Sequence, residues 1–256
     1  MKIILLSLTL VIQAFAVDRP ESKFWNRVMQ LPENVVIEYT YEPIAEFPAD
    51  VPEQFERFKD YHIPIYCRLT KQGESFRIET REKKSQQEAD AVVCYDGKRY
   101  SSFKPGQNML SLSSKEKPME SDLQSCFYLS PITFFYTLGD TEEEENRMRI
   151  ALENNRNTGS LTEKNSNGIW YQVSWTSAPT DKNRKIFADE TIVKFYNAED
   201  LIGTDRFDSV NSKKITVTSV TIPDQKLPQD FFLLPLEPAE TLLDYDVDPN
   251  LIRDLK

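Results

Sequence analysis

The sequence predicts a mainly β protein of the α+β class, a barrel or strongly curved sheet formed as one domain with a helical insertion. Three observations carry this. Apolar and polar residues alternate with period two in about nine to eleven short runs. Turn-forming residues, above all Asp96-Gly97, separate those runs at regular spacing. No internal repeat and no linker-like change of composition divides the chain.

In order, Glu21 to Leu31 reads as a short helix with Phe24, Val28 and Leu31 on one face. Val35, Ile37, Tyr39 and Tyr41 then alternate against Val36, Glu38 and Thr40, which predicts a half-buried strand. Pro43 to Pro52 ends it, and Glu53 to Tyr61 reads as a polar helix. Ile63 to Lys71 and Phe76 to Arg81 are two alternating runs around Gln72-Gly73-Glu74, so they predict a hairpin. Ala91 to Tyr95 and Lys98 to Phe103 flank Asp96-Gly97, a pair that tolerates the positive φ of a tight hairpin turn. Pro105-Gly106-Gln107-Asn108 makes the next turn before Met109 to Leu112.

Helical spacing takes over from Ser121 to Leu138, interrupted at Pro131, and Thr141 to Glu144 has the form of a capping box. The acidic run there suits a helix N-terminus better than a calcium site. Strand patterns return at Ile169 to Trp175, Lys185 to Ala188, Thr191 to Tyr196 and Lys214 to Ile222. The stretch from Asp230 to Tyr245 is apolar and proline-punctuated, with little periodicity.

The chain starts with Met1-Lys2, an apolar run to Phe15 and a small-x-small ending at Ala14-Phe15-Ala16. This predicts a cleavable export signal over 1–16 and a single domain from 17 to 256, placed in the periplasm or secreted. No Cys follows the expected cleavage point, so no lipid anchor is expected there. The net charge of −10, more negative still once Lys2 leaves, argues against nucleic acid and anionic membrane surfaces as partners. Seven glycines argue against phosphate loops. Of the three cysteines, Cys67 and Cys94 sit in apolar strand patterns that suit buried thiols; a bridge between them requires their strands to meet. Cys126 completes an odd count, which leaves at least one thiol free or paired with another chain.

Several motifs together resemble the LolA/LolB superfamily of periplasmic lipoprotein carriers. They are Asp96-Gly97-Lys98 followed by a strand ending Phe103-Lys104-Pro105, Phe76-Arg77-Ile78 just before that hairpin, Ser130-Pro131-Ile132, and the Phe231 to Pro238 segment. The resemblance implies an unclosed antiparallel barrel with helices packed on its concave side. It also implies an apolar cavity for acyl chains, with Ser130-Pro131-Ile132 starting a lid helix and Phe231 to Pro238 forming a C-terminal strand. Two positions depart from the family pattern. Gln72-Gly73 stands where the carriers have an Arg-Pro pair that contacts the lid, and Ser101 stands where they have an aromatic residue.

The apolar faces mark Tyr39, Tyr41, Phe76, Ile78, Phe134, Phe135, Tyr171 and Trp175 as lining either a ligand cavity or a closed core. Arg68 and Arg77 lie on the opposite strand faces; they are candidate polar contacts for a head group or carboxylate, or else solvent-facing ion pairs. His62 is the single histidine, so a zinc site is not expected. Asp244, Asp246 and Asp248 begin like a calcium loop, but Pro249 and Leu255 occupy positions that need Gly and Glu. No nucleophile elbow is present, and no cofactor, metal or catalytic residue is expected. The expected activity is carriage of a lipid-like or lipoprotein ligand by a monomer without stable membrane insertion. The alternatives are an envelope interaction protein that keeps the fold without a ligand, and a hydrolase drawing on the 41 acidic residues.

Overall fold

The computed structural model describes residues 28, 31–44, 64–114, 143, 146–147, 150–151, 154–155, 157–164, 168–176, 188–206, 212–237, 239–248 and 250–255. Its strands are β1 (Asn34–Pro43), β2 (Ile65–Gln72), β3 (Ser75–Arg81), β4 (Ala91–Tyr95), β5 (Arg99–Lys104) and β6 (Met109–Ser114). They continue with β7 (Thr158–Lys164), β8 (Trp170–Thr176), β9 (Glu190–Tyr196), β10 (Lys213–Thr221), β11 (Thr241–Asp244) and β12 (Ile252–Asp254). All twelve form one sheet in the order β12-β11-β6-β5-β4-β3-β2-β1-β10-β9-β8-β7, with β12 and β7 as its two edges. The sheet is therefore unclosed.

The hairpins follow from turn chemistry. Gly73 at φ 57 closes β2 onto β3, and Gly97 at φ 97 closes β4 onto β5. Asp96 Oδ1 accepts from the amides of Lys98 and Arg99, both at 2.7 Å, which fixes the second turn. Pro105–Gln107 is a 3-10 turn, and Asn108 at φ 49 leads into β6. Every ladder is antiparallel except that of β6 with β11, which is parallel.

Period-two alternation sorts the side chains onto two faces. The inner face carries Val35, Ile37, Tyr39 and Tyr41 from β1, Cys67 and Leu69 from β2, and Phe76 and Ile78 from β3, all in one hydrophobic cluster. Val93, Tyr95 and Tyr100 extend that cluster on one side; Ile215, Val193, Tyr171, Val173 and Trp175 extend it on the other. A bulge in β10 at Thr218, opposite Glu38 and Tyr39, shifts the register between β1 and β10 and increases the local twist.

The outer face is crossed by the chain itself. β10 lies beside β1 while β11 lies beside β6, so residues 222–240 must traverse seven strand spacings, about 34 Å. Side chains of the outer face hold this strap. Gln72 grips Leu227 twice, its Nε2 donating to the carbonyl at 3.0 Å and its Oε1 accepting from the amide at 2.6 Å. Gln229 donates to the Asp96 carbonyl at 3.0 Å, and Arg77 donates to the Phe231 carbonyl at 3.1 Å. Phe232 closes the strap with no exposed surface.

Several sequence expectations change. Of the segment expected as a strand from Phe231 to Pro238, the described residues 231–237 form none: Gln229–Phe232 is a 3-10 turn, and the C-terminal strand of this region is β11 at Thr241–Asp244. The wholly antiparallel expectation gives way at β6–β11, because β10 and β11 run in the same direction and are joined by the crossover. Strand β7 occupies Thr158–Lys164, where alternation of apolar residues is absent. Ala188 lies outside any strand, and 185–187 of that expected strand fall outside the described residues. The helices expected over 53–61 and 121–138 also lie outside them, as do the capping box apart from Glu143 and nearly all of Glu21 to Leu31. Helical conformation is described at 28, 143, 146–147, 150–151 and 154; Val28 is fully buried in the core, and Ala151 packs against it. Residues 1–27, with the expected export signal, are likewise outside.

Candidate functional site

The candidate site is the inner face. Of the residues expected to line it, Tyr39, Tyr41, Phe76, Ile78, Tyr171 and Trp175 all belong to the single inner cluster, none more than 8% exposed. Phe134 and Phe135 lie outside the described residues. Each side chain is placed by its ladder: Tyr39 pairs with Cys67, Ile37 with Leu69 and Leu69 with Ile78, forming continuous apolar rows across the sheet. At one end Phe76, Tyr95 and Tyr100 form an aromatic group with centroid separations of 4.7–6.1 Å. At the other end Trp175 donates from its indole to the Asn155 carbonyl at 2.8 Å, and Gly159 lies directly beneath the ring. Beyond Tyr100 the face changes to small hydroxyls, with Ser102, Ser111 and Ser113 buried along β5 and β6.

Two lysines also sit on this face, and sequence reasoning passed over both. Lys71, paired in register with Phe76, is buried and donates to the Pro32 carbonyl at 3.2 Å. Burial lowers its pKa, opposed by the nearby Glu33 charge. Lys213 stands in register with Pro43 and Val193, and its ammonium is 5.9 Å from the Tyr41 ring. Burial lowers the Lys213 pKa as well. Glu163, next to Tyr171 on β7, makes a two-pronged ion pair with Arg147 at 2.7 and 2.9 Å.

Cys67 and Cys94 are free and buried. Strand β3 lies between theirs, and Cys67 faces inward while Cys94 faces outward, so a bridge between them is excluded. Burial pushes both thiols up to about 12. Cys126 and His62 lie outside the described residues. In a Cys126→Ser variant, a thiol reagent at neutral pH is expected to find no fast-reacting group in the native protein and two after unfolding. Fast native labelling would contradict the buried placement.

Arg68 and Arg77 both project from the outer face, separated by the sheet from the apolar set. Arg77 is fully engaged: it pairs with Glu79 at 2.8 Å, donates to the strap and lies 5.0 Å from the Phe231 ring centroid. Arg68 makes no ion pair or hydrogen bond among the described residues. The calcium-like acidic run is also occupied, because Arg99 lies 3.1 Å from both Asp244 and Asp246. Among the described residues no cluster of His, Cys, Asp and Glu suits a metal ion, and no helix is long and apolar enough to cross a membrane.

Glu79 is shared between Arg77 and Arg81, each at 2.8 Å. Burial alone would raise its pKa, but hydrogen bonds from Arg81 and Arg77 and their charges outweigh it and hold the carboxyl below its ordinary value. A folded pKa below the unfolded one gives stability that is complete above the unfolded value of about 4 and is lost as pH falls through the folded value. The Glu79→Gln variant should therefore be most destabilised relative to the parent at neutral pH. Denaturant unfolding at stepped pH should show that gap narrowing below about pH 4; a constant gap would contradict the assignment.

No family model matches the chain, and no curated protein matches it. Among solved structures it is similar to an uncharacterized conserved protein from Thermus thermophilus, at 10% identity and a TM-score of 0.34. The match covers 88% of this chain and 99% of that one. At that score the likeness assigns neither fold nor function.

Proposed function

We propose that this is an exported, non-catalytic carrier or binding protein for a lipid-like or lipoprotein ligand. In this reading the sheet curls around its inner face, with helices packed on the concave side. The observation that carries it is the largely apolar inner face, whose residues form one cluster from Tyr100 on β5 to Trp175 on β8 in a sheet that does not close. Such a face offers a long apolar surface and few polar groups, the chemistry an acyl chain requires. Each methylene transferred from water is worth about 0.8 kcal/mol, so a single chain supplies ample driving force. The export-signal pattern and the resemblance to the periplasmic carriers support the same reading.

The test is titration of delipidated protein with a fluorescent fatty acid. Saturable uptake that is reduced by Ile37→Glu in a still-folded variant is expected. Absence of saturable uptake would reject the reading.

One observation favours a second reading, an envelope interaction protein without a ligand: Ile37, Leu69, Phe76, Tyr171 and Val193 are all fully buried, as in a filled core. On that reading, enlarging an inner side chain would leave the binding of an envelope partner intact. On the carrier reading it would abolish ligand uptake.

A further inference from the structure

We propose that the outer face over β1, β2 and β3 carries a second binding site, for a small molecule that bears a phosphate group beside a hydroxyl or amine. This goes beyond the carrier reading, because the whole sheet separates this site from the inner face.

A cleft of about 290 Å³ opens there. Its charged lining side chains are Arg68, Arg81, Lys84 and Glu38, so cations prevail locally on a chain whose net charge is −10. The ladders explain how the cations come together. Tyr66 pairs with Arg81 and Arg68 pairs with Glu79, which makes Arg68 and Arg81 diagonal neighbours on one face. Like charges so placed repel unless something negative lies between them. Glu79 does not meet that need for Arg68, because its two oxygens are taken by Arg77 and Arg81. Glu38 stands opposite Arg68 in the β1–β2 ladder, yet the two form no ion pair. Lys84 likewise makes no ion pair or hydrogen bond among the described residues.

Arg68 and Lys84 are thus left with their donors available, while Arg81 is held in place by Glu79 through a hydrogen bond of 2.8 Å. A guanidinium fork matches the oxygens of a phosphate, and Lys84 adds a point charge. The Glu38 carboxylate, beside Arg68 on the neighbouring strand, accepts hydrogen bonds only, so it selects a ligand with a donor close to its anion. The cleft volume is at the small end of the range for ligand pockets, which suits a head-group-sized molecule rather than a chain.

Calorimetric titration of the full chain with inorganic phosphate and with sn-glycerol 3-phosphate tests this. Both should bind saturably, glycerol phosphate more tightly. Arg68→Gln should weaken both roughly tenfold or more, as expected for loss of a charge-assisted contact, and Lys84→Gln should weaken both to a smaller extent. Glu38→Gln should reduce the advantage of glycerol phosphate, whereas a remote Lys98→Gln should change nothing. Arg68 and Lys84 have no partners to lose among the described residues, so their variants are expected to fold; coincident melting curves verify that. A short-chain phosphatidylethanolamine below its micelle concentration separates the sources. Tighter binding than glycerol phosphate, with the same dependence on Arg68, identifies a lipid head group; weaker binding identifies a free phosphate compound. Failure of every probe to bind saturably, or binding that survives both Arg68→Gln and Lys84→Gln, overturns the proposal. Neither result bears on fatty-acid uptake by the inner face.

Discussion

Replacing Trp175 by alanine is expected to lower the free energy of unfolding by about 3–5 kcal/mol. The indole is 1% exposed, lies in the inner cluster and donates to the Asn155 carbonyl at 2.8 Å. Its removal takes away a large buried apolar area, leaves a cavity and strips a partner from that carbonyl. The surroundings have little scope to collapse, because Gly159 already lies against the ring and is the residue directly opposite Trp175 in the β7–β8 ladder. The same contact makes Gly159→Val costly, since any Cβ there would intrude on the indole. Set against a total stability of about 5–15 kcal/mol, either change brings the native state close to failure. Urea unfolding followed by fluorescence and circular dichroism measures the effect. A loss below about 1 kcal/mol for Trp175→Ala would mean that the ring is not buried as described.

The second large effect is expected at the strap. Phe232→Ala should cost about 3–5 kcal/mol, because its side chain is completely buried although it sits in a proline-flanked 3-10 turn. The change should also act locally. Cys94 lies on the outer face, 4.0 Å from the Arg77 guanidinium that holds the Phe231 carbonyl, whereas Cys67 faces the inner core. Loosening the strap should therefore make Cys94 accessible to a thiol reagent while Cys67 stays protected. Equal labelling of both would indicate global unfolding rather than release of the strap.

The contrast between these two regions explains which parts of the fold were legible in the sequence. Strands β1 to β6 and β8 to β10 announce themselves because one face of each is packed and the other is polar or lightly covered, so alternation survives. Asp96-Gly97 and Gln72-Gly73-Glu74 mark their hairpins because only a few residues tolerate the backbone that each turn needs. Strand β7 gives no such signal: its inward positions are Gly159, Leu161 and Glu163, one filled by a neighbouring ring and one by an ion pair. Strands β11 and β12 are short, and β11 pairs in parallel with a strand more than a hundred residues earlier, a partnership that no local pattern encodes. The Phe231–Phe232 pair reads as strand material because it is apolar, but its packing is that of a crossover pressed onto the outer face of the sheet.

The inner face was legible for the same reason as the strands. What the sequence could not separate was Arg68 from Arg77. Both occupy outward positions on neighbouring strands, and the strap, attached by the Gln72 and Arg77 side chains, engages Arg77 but not Arg68, which has no ion pair or hydrogen bond among the described residues. The buried Lys71 and the half-buried Lys213 were missed because charge in an alternating run marks the solvent face by default. Here a backbone carbonyl and an aromatic ring accommodate them instead.

The central claim is that the inner face receives an apolar guest. Native mass spectrometry of the protein purified from its own cells without detergent tests it most directly. The account predicts an adduct with the mass of a lipid or an acylated peptide, lost on delipidation and reduced in a folded Ile37→Glu variant. A spectrum that shows the bare polypeptide mass alone, before and after delipidation, would contradict it.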